Sequence, residues 1–192
     1  MRAYHILAHC LQYGGVIFLC GNGGSFADAL HISGELLKRY EQPRSLDPAF
    51  VRRLSKLPGG DQVAASLEGG LRAVVLGANH SLVSAVQNDF AVGRMEYAQE
   101  LYALARPGDV LVGLSTSGNA ENVLNAVLTA KALALPVILF TGQDGGRLAP
   151  LADVALRVPA QGACAVQELH QPLYHALCSL LEVHFFGGRS SC

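Results

Sequence analysis

The hydrophobic and polar positions of this 192-residue chain alternate between short apolar runs and stretches of helical periodicity. The apolar runs are Val16-Ile17-Phe18-Leu19-Cys20, Ala73-Val74-Val75-Leu76, Val110-Leu111-Val112-Gly113-Leu114, Pro136-Val137-Ile138-Leu139-Phe140 and Val154 to Val158. None alternates apolar with polar residues, so each reads as a strand buried on both faces of a parallel sheet. Between them the spacing predicts helices over 2–13, from Ser25 to about Tyr40, within Asn79–Phe90, over Glu96–Leu104 and over Glu121–Leu133. A long closing helix is expected over Ala165–Phe186, with Leu169, Leu173, Leu177 and Leu180 as its core stripe and Pro172 kinking or restarting it. Five strands alternating with helices predict an α/β fold with a five-stranded parallel sheet covered on both faces. Residues 41–68 break this rhythm. Pro43, Pro48, Pro58 and Gly59-Gly60 interrupt them, leaving a short helix at Ala49–Leu57. They read as an excursion from one domain spanning residues 1–192.

Right-handed crossovers place three polar loops at the same carboxyl edge of the sheet, where ligands bind in this architecture. The central one, Ser115-Thr116-Ser117-Gly118-Asn119, joins an apolar strand to a helix N-terminus. Free N–H groups of a first helical turn, aligned peptide dipoles and three adjacent hydroxyls make an anion site, and phosphate is its simplest guest. Helix capping by Ser117 or Asn119 alone would need one polar side chain, and this loop has four. Gly21-Asn22-Gly23-Gly24-Ser25 is the second loop, with Ser25 and Asp28 spaced as a capping-box variant. It lacks the third glycine of G-x-G-x-x-G, since position 26 is Phe, so dinucleotide binding is discounted.

Composition narrows the partners. Hydrophobic residues make up 51% and charged residues 15%, which implies a compact chain with surface buried between subunits. A formal net charge of −1 with no long basic run argues against nucleic acid. No apolar segment reaches membrane length and Met1–His5 leads into no secretory pattern. Cys10, Cys20, Cys164, Cys178 and Cys192 are odd in number and unpaired in spacing, as expected for reduced thiols of a cytoplasmic protein.

The candidate chemistry lies on two helices. His31 and Glu35, four residues apart, fall about 40° apart around one helix face. An imidazole and a carboxylate at that spacing are half of a metal site, or, with Lys38 and Arg39 following, a surface pairing. Gln167, His170 and His175 are polar residues in apolar company on the closing helix. His31, Glu35, Gln167 and His175 together offer four N/O donors suited to zinc or another first-row divalent ion. Asn88-Asp89 supplies an amide and a carboxylate for sugar hydroxyls, or a helix stop.

Taken in order, Gly21-Asn22-Gly23-Gly24-Ser25, His31-x-x-x-Glu35, Asn88-Asp89, Ser115-Thr116-Ser117-Gly118-Asn119, Thr141-Gly142-x-Asp144-Gly145-Gly146 and Gln167-Glu168-x-His170 with His175 resemble the phosphoheptose isomerases, which are sugar isomerase (SIS) domain proteins. The resemblance spans Val16 to Glu182. It implies a three-layer αβα sandwich and a homotetramer with shared active sites. It also implies conversion of sedoheptulose 7-phosphate to D-glycero-D-manno-heptose 7-phosphate for heptose glycans. By the same resemblance, Ser115, Thr116 and Ser117 hold the phosphate, and Asn22, Gly23, Gly24, Ser25, Asn88, Asp89 and Gln167 contact the sugar. His31, Glu35, Gln167 and His175 would bind zinc, with Glu35 and His175 as acid–base groups. Three features depart from the family pattern: Ala120 stands where a further serine is usual, the 41–68 excursion is longer, and the leading helix is shorter. They leave room for two other readings: a non-catalytic SIS protein that binds a partner such as a replication initiator, and a SIS isomerase or sensor for another sugar phosphate.

Overall fold

The computed structural model describes residues 1–187, so Cys192 lies outside the described residues. The elements run α1 (Arg2–Gln12), β1 (Ile17–Gly21), α2 (Gly24–Leu37), α3 (Pro48–Leu54), α4 (Gly60–Ala64), β2 (Ala73–Val75), α5 (His80–Asp89), α6 (Glu96–Leu104), β3 (Val110–Ser115), α7 (Glu121–Ala132), β4 (Val137–Thr141), a 3₁₀ turn (Ala149–Leu151), β5 (Val154–Arg157) and α8 (Ala163–Phe186). The strands form one parallel sheet in the order β2-β1-β3-β4-β5. β1, β3 and β4 are buried along their whole length, as continuous apolar runs require.

Two cores sandwich the sheet. On one face Leu7, Ile32, Leu36, Tyr174 and Cys178 bring α1, α2 and α8 onto it. On the other, Tyr97, Leu101, Val123 and Val127 bring α6 and α7. The helices after β1 and β3 therefore leave to opposite faces. Chain order reverses between these two strands, and that is the switch point where ligand crevices open in such sheets.

The excursion holds two short helices where the proline and glycine pattern predicts one. Asp47 caps α3 through Ala49 N–H (3.0 Å) with Pro48 following it, and Gly59 in the left-handed region begins α4. Its root is fastened by a buried ion pair. Arg44 Nε meets Glu182 Oε1 at 2.8 Å, while the same carboxylate accepts from the N–H groups of Tyr40, Glu41 and Gln42. Arg44 also donates to the carbonyls of Leu36 (2.6 Å) and Glu35 (2.7 Å). These bonds satisfy orphan carbonyls at the end of α2, which stops at Leu37, short of the expected Tyr40.

Three expectations are corrected. Of the expected stripe, Leu177 packs against the core, while Leu169, Leu173 and Leu180 are 37–41% exposed; the face of α8 that enters the core is Val166, His170, Tyr174, Cys178 and Leu181. The helix is apolar on both faces, so spacing alone did not choose between them. α8 runs unbroken through Pro172, an exposed position, with no restart. Ser25 is also no cap: Gly23 is the N-cap of α2, and Ser25 is buried in the first turn. Among the described residues the four cysteines are free, and burial pushes the thiols of Cys10, Cys20 and Cys178 up to about 12, which keeps them protonated and unreactive. No described helix is long and apolar enough to cross a membrane.

Candidate active site

The Ser115–Asn119 loop leaves the end of β3 and packs backbone to backbone against the Gly142–Gly146 loop after β4. Gly142 N–H donates to Thr116 C=O (3.0 Å), and Leu148 N–H to Gly118 C=O (3.0 Å). Gly118 has φ +65°, and any Cβ there would overlap the Gly145 carbonyl, so this contact requires glycine. Asn119 fixes the loop rather than capping α7. Its Oδ1 accepts from Arg147 N–H (3.1 Å) and its Nδ2 donates to Ser117 C=O (2.9 Å). The N-cap of α7 is Ala120, with no side-chain bond; Val123 N–H is taken by Asn122 Oδ1 at 3.0 Å, which leaves the N–H groups of Glu121 and Asn122 for an anion. Thr116 and Ser117 line a cavity of about 260 Å³ with Gly142 to Gly146 and Gln161. Among the described residues no Lys or Arg lines it. Ser115 is buried at the strand end.

At the end of β1, Asn22 lies face to face with Asn122 of α7. Each amide donates Nδ2 to the other's Oδ1 at 2.8 Å. Asn122 Nδ2 also donates to Glu96 Oε1 at 2.8 Å, and Tyr97 reaches Asn22 Oδ1 at 3.2 Å. This network borders a cleft of about 300 Å³ that includes Gly23, His80, Gln87 and Arg94. Asn122, Glu96 and Tyr97 were not expected from the sequence; the signal was only a polar residue in the first turn of each helix. Asn88 and Asp89 end α5, both exposed, and hydrogen-bond to each other at 2.7 Å. Neither lines the cleft that holds Asn22.

α2 and α8 lie side by side, and the first residue of α2 meets the second turn of α8: a Cβ on Gly24 would strike the Gln167 amide. Two turns further along α2, His31 Nε2 is 3.1 Å from Glu35 Oε1, and its Nδ1 is 3.1 Å from Tyr174 Oη. The His31 and His175 rings stand edge to face at 5.1 Å. His175 Nε2 is buried without a hydrogen-bond partner. His170, which is fully buried, also has both ring nitrogens unpartnered, and burial holds it below its ordinary value. Burial likewise raises the Asp28 carboxyl, whose Oδ1 lies 3.4 Å from Tyr174 Oη.

The fold thus brings His31, Glu35 and His175 together, and it sets Gln167 apart at Gly24, about 10 Å away by helical rise. The donor types suit zinc, and His175 Nε2 is buried without a hydrogen-bond partner among the described residues. The geometry does not: among the described residues no three His, Cys, Asp or Glu side chains converge on a point that would hold a metal ion. The four expected ligands do not form a metal cage within one chain as it stands.

Comparison with known proteins gives this arrangement a context. Residues 87–176 match the SIS domain family. The chain is 36% identical over 184 residues to a phosphoheptose isomerase of Helicobacter pylori (strain P12), covering 96% of this chain and 83% of that one. It is 38% identical to the phosphoheptose isomerase of Thiobacillus denitrificans, covering 95% and 81%. Among solved structures, phosphoheptose isomerase from Neisseria gonorrhoeae superposes with a TM-score of 0.73 at 35% identity, covering 94% of this chain and 83% of that one. The three-layer αβα sandwich is the fold these proteins share. The chain belongs to the phosphoheptose isomerase family.

Proposed function

We propose that the protein converts sedoheptulose 7-phosphate to D-glycero-D-manno-heptose 7-phosphate, an aldose–ketose isomerisation that supplies heptose for glycan synthesis. The observation that carries this is the contact of His31 with both Glu35 and His175 on paired helices, in a chain alike over nearly its full length to phosphoheptose isomerases. The phosphate occupies the Thr116–Ser117 cavity, held by hydroxyls, backbone N–H groups and the α7 dipole, with Ser115 supporting the loop from the strand end.

Isomerisation moves a hydrogen between C1 and C2 through an enediol. Glu35 takes the C1 proton and later returns it to C2. His175 gives a proton to the C2 oxygen and then recovers one from the C1 oxygen, so both groups end as they began. His31 holds the Glu35 carboxylate in place at 3.1 Å. His31, Glu35, Gln167 and His175 would hold a divalent ion such as zinc only in an arrangement other than the one described, and such an ion would supply Lewis-acid polarisation of the carbonyl. The proton transfers above are assigned to side chains alone.

Glu35 lies eleven residues beyond Gly24, roughly 16 Å along α2 from the sheet edge. None of His31, Glu35, Gln167 or His175 lines the Thr116–Ser117 cavity of the same chain. We therefore assign the working site to a homotetramer in which the phosphate loop of one copy faces the helix pair of another, with Asn88 and Asp89 joining from the exposed end of α5. The outward Leu169, Leu173 and Leu180 of α8 and the exposed Tyr102 and Leu104 of α6 supply apolar surface for such contacts. The test is turnover of sedoheptulose 7-phosphate by His175→Ala. A loss of about a hundredfold or more in kcat supports the assignment, and full activity removes His175 from the mechanism.

A further inference from the structure

The pairing of Asn22 and Asn122 is symmetrical by itself. Two side-chain amides in a ring of two hydrogen bonds keep both bonds if both flip together. The symmetry is broken by Glu96, which is 6% exposed and accepts from Asn122 Nδ2. A carboxylate only accepts, so a flipped Asn122 would turn its oxygen toward another buried oxygen and lose its donor. Val123 N–H, 3.0 Å from Asn122 Oδ1, opposes the same flip. With Asn122 held, Asn22 alone cannot turn without setting nitrogen against nitrogen and oxygen against oxygen. One N–H of Asn22 is then left outside the ring, in the residue that borders the cleft beside Gly23.

Glu96 is itself set from two sides. Arg94, two residues before it, has φ +65°, a conformation rare outside glycine, and its carbonyl accepts from Asn125 Nδ2 of α7 at 3.0 Å. Asn122 and Asn125, on one face of α7, thus hold the entry to α6. Strain at such a position needs surrounding contacts to sustain it.

We propose that Glu96 and Asn122 are positioning residues for substrate binding: they fix the Asn22 amide with its spare N–H, rather than its oxygen, available to a sugar hydroxyl oxygen. Neither touches the reacting carbons, and their effect passes through Asn22. The inference rests on the reading of this edge as a sugar-phosphate site.

The experiment is a double-mutant cycle between Glu96→Met and Asn22→Ala, measured as KM and kcat for sedoheptulose 7-phosphate. Glu96→Met raises KM about fivefold with kcat within about twofold, the loss of one oriented hydrogen bond. Asn22→Ala does the same, and the double variant is no worse than Asn22→Ala. Glu96→Gln, which keeps an oxygen for Asn122, restores KM. Additive KM effects, or an unchanged KM in Glu96→Met, overturn the proposal.

A second readout needs no turnover. In protein labelled with ¹⁵N asparagine, the side-chain NH₂ resonances of Asn22 and Asn122 both move in Glu96→Met and return in Glu96→Gln. Resonances that stay in place overturn the proposal whatever the kinetics. If the wild-type protein fails to isomerise the sugar while the resonances move, the functional reading is lost and the orientation of Asn22 stands. Should Glu96→Met not fold, Asn122→Leu puts the same question to the other member through the Asn22 resonances.

Discussion

Two buried polar regions of this molecule use similar residues to opposite ends. At the root of the excursion, Glu182 and Arg44 are 1% and 3% exposed. The carboxylate accepts four hydrogen bonds, and the guanidinium also donates to two carbonyls. Along the α2–α8 pair and at the strand ends, Asp28 Oδ2, Thr141 Oγ1, both nitrogens of His170, His175 Nε2 and Glu96 Oε2 are buried and have no hydrogen-bond partner among the described residues. The first region is complete within the chain. The second leaves polar atoms unsatisfied, a cost of about 1–3 kcal/mol each when nothing compensates it. A saturated cluster is a structural joint. An unsaturated one beside clefts and exposed loops is where substrate, solvent or another copy of the chain has polar atoms to meet.

The contrast breaks most visibly at the joint. Arg44→Ala strands the Glu182 charge in the interior, and loss of one partner of a buried pair lowers stability by about 3–5 kcal/mol, read in urea unfolding. The joint also has an acid limit. Burial alone raises the Glu182 carboxyl, but the N–H groups of Tyr40 and Glu41, the Arg44 guanidinium and Gln42 N–H together outweigh it and hold the group below its ordinary value of 4.5. A carboxyl depressed in the folded state contributes stability that is whole above pH 4.5 and is lost as pH falls through the lowered native value. Replacing both residues with apolar ones, Arg44→Met with Glu182→Leu, removes that acid dependence and the stranded charge, but it leaves the Leu36 and Glu35 carbonyls and the Tyr40, Glu41 and Gln42 N–H groups without these partners, so it stays less stable than wild type.

The second largest effect separates activity from stability. Glu35→Gln keeps the contact with His31 and removes the base, so kcat for sedoheptulose 7-phosphate falls about 10²–10⁴-fold. The urea midpoint changes little, because Glu35 is partly exposed and, among the described residues, its side chain bonds only to His31. A parallel loss of stability would mean that the helix pair is a joint like the first.

Both regions differ in how much of them the sequence reveals. The strands and helices were legible because each is a local pattern: Glu96–Leu104 forms as spaced, and the Ser115–Asn119 loop falls at a strand end as expected. His31 and Glu35 share a helix face by arithmetic. The joint was not legible, since Arg44 and Glu182 are 138 residues apart and a lone Arg in a Pro-rich stretch gives no sign of burial. The Asn22–Asn122–Glu96 network was not legible for the same reason, its members standing 100 and 26 positions apart. The buried face of α8 was misread because its leucines and its Tyr174–Cys178 face are both apolar. Gln167 shared the right half of the helix with His175 but met Gly24 instead, because eight residues of α8 carry it two turns from its neighbour.

A smaller effect concerns His170, unsatisfied but enclosed. Burial lowers it, opposed by a backbone contact with Thr141 that falls short of hydrogen-bond geometry and by the Asp28 carboxyl, so the folded state resists its protonation. Its contribution is intact above its ordinary 6.5 and is lost as pH falls through the lowered native value. His170→Leu replaces two orphaned nitrogens with methyl groups beside Phe140, so its urea midpoint at neutral pH matches or exceeds wild type, and its decline below pH 6.5 is shallower. A marked loss of stability at neutral pH would show that the imidazole nitrogens are satisfied in solution.

The smallest effect is gained by adding a group. Ala120 is the N-cap of α7, with φ −64° and ψ 121°, a backbone that a capping serine adopts without strain. Ala120→Ser introduces one hydroxyl where helix and phosphate cavity compete for it. Turned back to the first-turn N–H groups, it stabilises the fold by about 0.5–1 kcal/mol and competes with phosphate for those donors. Turned outward, it lowers KM for the sugar phosphate severalfold with the unfolding midpoint unchanged. Because Asn122 already takes the Val123 N–H and no N-cap side chain takes the others, the expected result is the lower KM. A raised midpoint with unchanged KM would move this end of α7 from the unsaturated region into the structural one.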